Sequence, residues 1–412
     1  MKKIFAFFAI FLTFLAVGSK VSADDDFDVA AEHAIAVEAT TGKVLYEKDA
    51  TTPDGIASMT KILTVYLVYK AIDEGKLSWD TKVSISDYAY DLTENSDASN
   101  VTMEAREYTV EQLVNAAMVA SANSAAIALA EQIGGTESKF VDMMKAQLEE
   151  WGITDATIVN ASGLNNSYLG DNIYPGSSST DENMMSARDV AIIAQHLITE
   201  YPDILKITSQ TTADFDGTTM NTYNYMLEGM PYERSGVDGL KTGTTELAGA
   251  SFVATSTENG MRIISVVMNA DGWEDDEYAR FEATNDLLDY VKSNYEMVTL
   301  VKAGKSYQSS KATVNDGKAK SVAAVASEDL KVVRRINTDV SADFSTNADG
   351  YDAPITKGQK VGTITYNDTQ IVGTGYLDSE PSVTAVAKTD VDRSIFFKVW
   401  WNPFVTFVNE KL

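Results

Sequence analysis

Apolar positions recur with strand-like spacing at both ends of residues 33–294 and with helical spacing between them. Ala34-Ile35-Ala36-Val37-Glu38, a Thr40-Thr41-Gly42 turn and Val44-Leu45-Tyr46 predict a hairpin. A loop with Pro53 and Gly55 then leads into a helix headed by Ser58. Its Ile62, Leu63, Val65, Tyr66, Leu67, Val68 and Tyr69 are apolar nearly all round, which predicts a buried central helix. Thr109 with Gln112 reads as a capping box opening an alanine-rich helical stretch that ends at Gly134-Gly135. Further helical patterns run from Glu137 to Trp151 and from Ser186 to Tyr201. Asn160 to Thr180, crowded with Gly, Ser and Asn, reads as a long surface loop. Strands return at Leu240–Thr244, Ser251–Ser256 and Arg262–Asn269, the last two joined by an Asn259-Gly260 turn, and Glu277–Asn294 closes the region as a helix. Strands flanking a helical middle imply one sheet assembled from both ends of a domain.

From Tyr295 the pattern changes to short alternating runs, Val298–Val301, Leu330–Ile336, Lys360–Tyr366 and Ser382–Ala387, broken by Gly, Asp and Asn. This predicts a small all-β domain over residues 295–392. The last segment, 393–412, concentrates Trp400, Trp401 and four phenylalanines beside Arg393, Lys398 and Lys411. It is shorter than the about 20 apolar residues a bilayer span needs, and Lys398 and Pro403 interrupt it, so an amphipathic helix lying in a membrane interface is expected. At the other end, Lys2 and Lys3 precede an apolar run from Ile4 to Val17, and Val21-Ser22-Ala23 has the small residues of a signal-peptidase site. The expected organisation is a signal peptide over 1–23, a catalytic domain over 24–294, a β-sandwich over 295–392 and an anchor over 393–412.

Composition narrows the chemistry. A net charge of -27 over 412 residues opposes binding to nucleic-acid phosphates, and no basic patch offsets it. An exported chain without cysteine has neither disulfides nor a thiol nucleophile, and attachment through a lipidated cysteine is excluded. His33 and His196 are the only histidines, and neither has a second histidine at zinc-ligand spacing, so structural roles are expected for both and no metal or cofactor is called for. A serine-histidine couple has no local support; a serine-lysine couple does.

That couple comes from three short strings: SMTK at Ser58–Lys61, SAN at Ser121–Asn123 and KTGT at Lys241–Thr244. Each alone is weak, but the three in this order and at this wide spacing indicate acyl transfer. Residues i and i+3 share a helix face, so Lys61 can reach the Ser58 hydroxyl. To take its proton the lysine must be neutral, at a cost of about 1.4 kcal/mol for each pKa unit removed. A helix end supplies about 2 kcal/mol at most, so burial and a neighbouring cation, with Lys241 as the candidate, must supply the rest. Ser121 is expected to bridge the two lysines and relay a proton to the leaving amine. Asn123 is expected to hold Lys61 and the substrate amide. Thr242 and Thr244, with Gly243 between them, fit recognition of a carboxylate next to the reacting bond. The backbone N–H groups of Ser58 and Thr244 are the expected oxyanion hole.

At these residues the sequence resembles the low-molecular-weight penicillin-binding proteins, the serine D-alanyl-D-alanine carboxypeptidases of the cell wall. The likeness spans nearly the whole chain. KTGTTELAG at Lys241–Gly249 matches the fuller third motif, and NASGL at Asn160–Leu164 resembles a further signature. The resemblance implies an α/β penicillin-binding, serine β-lactamase-like domain with an antiparallel sheet and a helical subdomain, then a small all-β domain and a C-terminal amphipathic helix. It implies that Ser58 is acylated by the D-alanyl-D-alanine end of a peptidoglycan stem peptide, and that β-lactam antibiotics trap the same serine. The expected location is the outer face of a cell membrane, with a Gram-positive cell the best fit. SAN in place of SDN, and the lack of a convincing ExxLN, separate the chain from class A β-lactamases. A wall-binding scaffold without turnover is the remaining alternative, and the intact Ser58, Lys61 and Lys241 oppose it.

Overall fold

The computed structural model describes residues 27–395 together with Val405. The expected signal peptide, and the expected anchor but for 393–395 and Val405, lie outside the described residues. No helix among the described residues is long and apolar enough to cross a membrane.

The N-terminal hairpin forms as strands β1 (Ala31–Glu38) and β2 (Val44–Lys48). Three later strands, β3 (Val237–Thr245), β4 (Gly249–Glu258) and β5 (Met261–Ala270), complete a five-stranded antiparallel sheet in the order β2-β1-β5-β4-β3. β1 pairs directly with β5, with Ile35 opposite Val266, so the two ends of the domain are joined at the sheet centre.

Alternation along each strand sorts side chains to two covered faces. Ile35, Val37, Val253, Ile264 and Val266 pack into one cluster with helices α1 (Lys61–Asp73), α2 (Val110–Val119), α3 (Asn123–Gly134), α4 (Glu137–Glu150) and α5 (Ala187–Glu200). Ala34, Ala36, Phe252, Ala254 and Val267 pack on the other face against Phe281, Leu287, Leu288 and Val291 of α6 (Ala279–Asn294). Helices cover both faces, which is why these strands are apolar at nearly every position. α1 is buried over almost its whole length, as its all-round apolar surface predicts.

Residues from Tyr295 onward carry a two-stranded sheet, Tyr295–Val301 with Leu330–Arg335, and a six-stranded sheet around a separate apolar cluster. This unit docks on the β2 edge. Val44 N–H donates to Gly375 O at 2.8 Å, and Leu377 N–H donates to Gly42 O at 2.8 Å. Beside them, Lys43 Nζ lies 2.6 Å from Asp368 Oδ2 with both side chains fully buried. β3, which carries the KTGT string, is the opposite edge of the same sheet. The β domain therefore sits across the sheet from that string.

Candidate active site

Ser58 does not head a regular α-helix; Ala57–Thr60 form a 3-10 turn that feeds α1 at Lys61. In that geometry positions i and i+3 eclipse one another, which sets Lys61 in line with Ser58. Lys61 Nζ lies 2.9 Å from Ser58 Oγ. Ala57 has φ 44° and Ser121 has φ 55°, left-handed conformations that cost a non-glycine residue about 1–3 kcal/mol each. Both are held by surrounding structure, and both aim a neighbouring or own side chain into the same space.

Lys61 is fully buried and has three close oxygen neighbours: Ser58 Oγ at 2.9 Å, Asn123 Oδ1 at 2.7 Å and Ser162 O at 2.6 Å. Asn123 Nδ2 donates to Ser99 O at 2.9 Å, which fixes the amide with its oxygen toward the lysine. Two of the three neighbours can only accept. A neutral amine has two N–H groups for them and one lone pair left for the Ser58 hydroxyl. Burial drives the Lys61 amine well below its ordinary range, and the charge of Lys241 adds to the effect. Among the described residues no carboxylate forms an ion pair with Lys61 or Lys241.

Lys241 Nζ donates to Ser121 Oγ and to Thr242 O, each at 2.9 Å. It is itself pushed down to about 7, first by burial and then by the charge of Arg280. The neighbouring cation expected from sequence is thus one of a series of three buried basic groups. Arg280, at the start of α6, was invisible to motif reading because no string surrounds it. Its Nη1 donates to Gly243 O at 3.0 Å and to Ser251 O at 3.2 Å, clamping α6 to the KTGT strand. Burial brings the guanidinium down to about 10, leaving it charged at neutral pH.

Ser58, Ser121, Thr242, Gly243, Thr244 and Arg280 line one cleft of about 330 Å³, and Lys61, Asn123 and Lys241 are buried with them. All three strings therefore meet at one place. β3 is an edge strand, so its open side can pair with an extended peptide laid along Thr242–Thr244. Gly243 is required for the nucleophile segment to pack this close to β3, because a Cβ there would stand 2.8 Å from Ile56 O.

The NASGL string departs from the expected surface loop. Asn160, Ala161, Ser162, Gly163 and Leu164 are all buried. Asn160 Oδ1 accepts from the N–H groups of Ser162 and Gly163 at 3.2 and 2.6 Å. Asn183 stitches this turn to the nucleophile segment, donating to Thr60 Oγ1 and Asn160 O, both at 2.9 Å. High polarity marked the segment as exposed; a closed hydrogen-bond network lets it be buried instead. Gly163 has φ +83°, and a Cβ on it would lie 1.8 Å from Ala57 O. Gly163→Ala should therefore destabilise the protein by about 1–3 kcal/mol or more and slow acylation. Gly176→Ala, with φ +89° but nothing within 4 Å, isolates the backbone cost in the same thermal melt. Equal losses in the two variants would contradict the clash.

Residues 19–272 match the family described as D-alanyl-D-alanine carboxypeptidase, and residues 295–393 match the C-terminal domain of penicillin-binding protein 5. The D-alanyl-D-alanine carboxypeptidase DacF of Bacillus subtilis is 32% identical over 345 residues, covering 81% of this chain and 80% of DacF. A solved structure of a peptidoglycan synthesis regulatory factor, PBP3 of Streptococcus pneumoniae, is 54% identical with a TM-score of 0.82, covering 89% of this chain and all of that one. Penicillin-binding protein D2 of Listeria monocytogenes, solved with ampicillin bound, is 30% identical with a TM-score of 0.54, covering 64% of this chain and 98% of that one.

Proposed function

Since the chain belongs to the D-alanyl-D-alanine carboxypeptidase family of penicillin-binding proteins, we propose that its cleft removes the terminal D-alanine of peptidoglycan stem peptides through an acyl-enzyme on Ser58. The observation that carries this is the arrangement around Lys61, a buried amine with two obligate acceptors and one serine hydroxyl. The neutral amine takes the Ser58 proton as Oγ attacks the penultimate D-alanine carbonyl. The backbone N–H groups of Ser58 and Thr244 hold the developing oxyanion, where one donor is worth about 3 kcal/mol. Ser121, 2.9 Å from Lys241 Nζ, relays to the departing amine the proton that Lys61 took from Ser58, which returns Lys61 to its neutral form and Ser121 to its hydroxyl. Asn123 orients Lys61 and the substrate amide. Lys241, Thr242, Gly243 and Thr244 receive the peptide's terminal carboxylate. Arg280, charged and lining the same cleft, adds positive potential where that carboxylate is received. Water then enters, releases the shortened peptide and frees Ser58.

β-Lactams follow the same first step and remain on the serine, as labelled penicillin tests directly. Incubation with the label and then with a pentapeptide should give a lasting adduct and release of D-alanine. Rapid loss of label would indicate a β-lactamase, and an adduct without D-alanine release a non-catalytic scaffold.

We place the catalytic unit at residues 24–294, the β domain at 295–392 and a membrane-interface anchor at 393–412, on the outer face of the cell membrane after removal of residues 1–23. The support is the signal-peptidase pattern and the aromatic, cation-flanked C-terminus. The β domain docks at the sheet edge opposite the KTGT strand, so it can carry the anchor without obstructing the cleft. Deletion of Ser394–Leu412 should release the mature protein from membranes while kcat/KM on a soluble peptide stays unchanged. Membrane retention of the truncated protein would count against the anchor.

A further inference from the structure

We propose that Glu137 is a positioning residue for acylation: its carboxyl fixes the Ala161–Ser162 segment so that the Ser162 carbonyl holds Lys61 Nζ toward Ser58. The proposal rests on Lys61 being the base. Glu137 is the first residue of α4, is 6% exposed, and directs both oxygens away from its own helix. Oε1 accepts from Ala161 N–H at 2.9 Å, and Oε2 accepts from Tyr88 O–H at 2.7 Å.

Ala161 and Ser162 together carry three polar handles. Ala161 N–H is held by Glu137, Ala161 O accepts from Thr64 Oγ1 at 2.6 Å, and Ser162 O accepts from Lys61 Nζ at 2.6 Å. Lys61 and Thr64 are one turn apart on α1, so the segment lies along the helix that carries the base. Glu137 reaches the Ala161 amide from outside both the turn and α1, next to the Asn160 carbonyl that Asn183 holds.

The ionisable groups around the carboxyl are Tyr88, from the short helix Asp87–Asp91, and Glu131 of α3, which in turn accepts from Ser86 Oγ at 2.8 Å. Among the described residues no cation pairs with Glu137. Burial raises it to about 7, opposed by the bonds from Ala161 and Tyr88. An oxygen remains available to Ala161 in either ionisation state, so reach rather than charge is what the position requires.

Glu137→Asp keeps the charge and shortens the arm; Glu137→Gln keeps the arm and removes the charge. Each purified full-length variant is reacted with labelled penicillin, and the noncovalent binding constant and the acylation rate constant are separated and normalised to adduct stoichiometry. Glu137→Asp should lose about 10- to 100-fold in the rate constant, the scale of a misplaced catalytic group, with the binding constant unchanged. Glu137→Gln should acylate close to the wild-type rate. A wild-type rate in Glu137→Asp, a loss in Glu137→Gln as large as in Glu137→Asp, or parallel loss of binding and rate would each overturn the proposal. Absence of any adduct in the wild-type protein would instead overturn the serine-lysine reading itself.

Discussion

Ser58→Ala is expected to form no covalent adduct with labelled penicillin and to release D-alanine from a pentapeptide more than about 10⁴-fold more slowly than the wild type. No second nucleophile can substitute. Ser121 is the other hydroxyl on the cleft with a lysine partner, but Lys241 Nζ is committed to Thr242 O and the Arg280 charge stands beyond it. The loss should be chemical rather than structural. Ser58 Oγ has Lys61 as its hydrogen-bond partner, and the substitution leaves Lys61 its two acceptors, so thermal stability should shift by about 1 kcal/mol or less. Mass spectrometry of the intact protein after β-lactam treatment checks the adduct, and a thermal melt checks the stability. An adduct of full stoichiometry on the alanine variant would move the nucleophile elsewhere.

Lys61→Arg is the second large effect, and the more informative about mechanism. Arginine places a permanent positive charge next to Asn123 Oδ1 and Ser162 O and cannot give up its proton, so it cannot act as a base. If Lys61 served by charge alone, the variant would keep much of its rate. The geometry instead predicts a fall of about 10²–10⁴-fold in the acylation rate constant, the usual range for loss of a positioned general base. Lys61→Met, similar in length and without charge, should fall by a comparable factor. Stopped-flow acylation by a chromogenic β-lactam measures both, with circular dichroism verifying that the variants are folded.

Legibility in the sequence followed how local each signal was. The hairpin at 31–48 and helix α1 were readable because their apolar periodicity lies within one segment. The three strings named the residues that meet in the cleft, since each is contiguous. That they meet at all depends on β1 pairing with β5 across more than two hundred residues, which periodicity cannot encode. Arg280 and Glu137 belong to no string; each acts through bonds to the backbone of another segment. A buried charged residue near a helix start was the only available trace, and burial is a tertiary property. The NASGL segment failed in the opposite sense. Gly, Ser and Asn usually signal exposure, but here Asn160 and Asn183 satisfy the turn internally and allow it to lie beneath Ser58. A serine three positions before a lysine predicts a shared face on either kind of helix, so the sequence does not distinguish the 3-10 turn at Ala57–Thr60 from the head of an α-helix.

The central claim is that Lys61 is neutral when substrate arrives. The pH dependence of the acylation rate constant, measured with labelled penicillin on wild-type protein and on Lys61→Arg, tests it most directly. Because burial and Lys241 lower the Lys61 pKa, the neutral fraction grows as pH rises through that lowered value, so the wild-type rate should climb from acid and reach its plateau well below the ordinary lysine pKa of about 10.4. The rising limb belongs to the coupled Lys61–Lys241 pair and should be missing from the arginine variant. A wild-type rate that keeps increasing through pH 10 without a plateau, or a limb that survives in Lys61→Arg, would contradict the account.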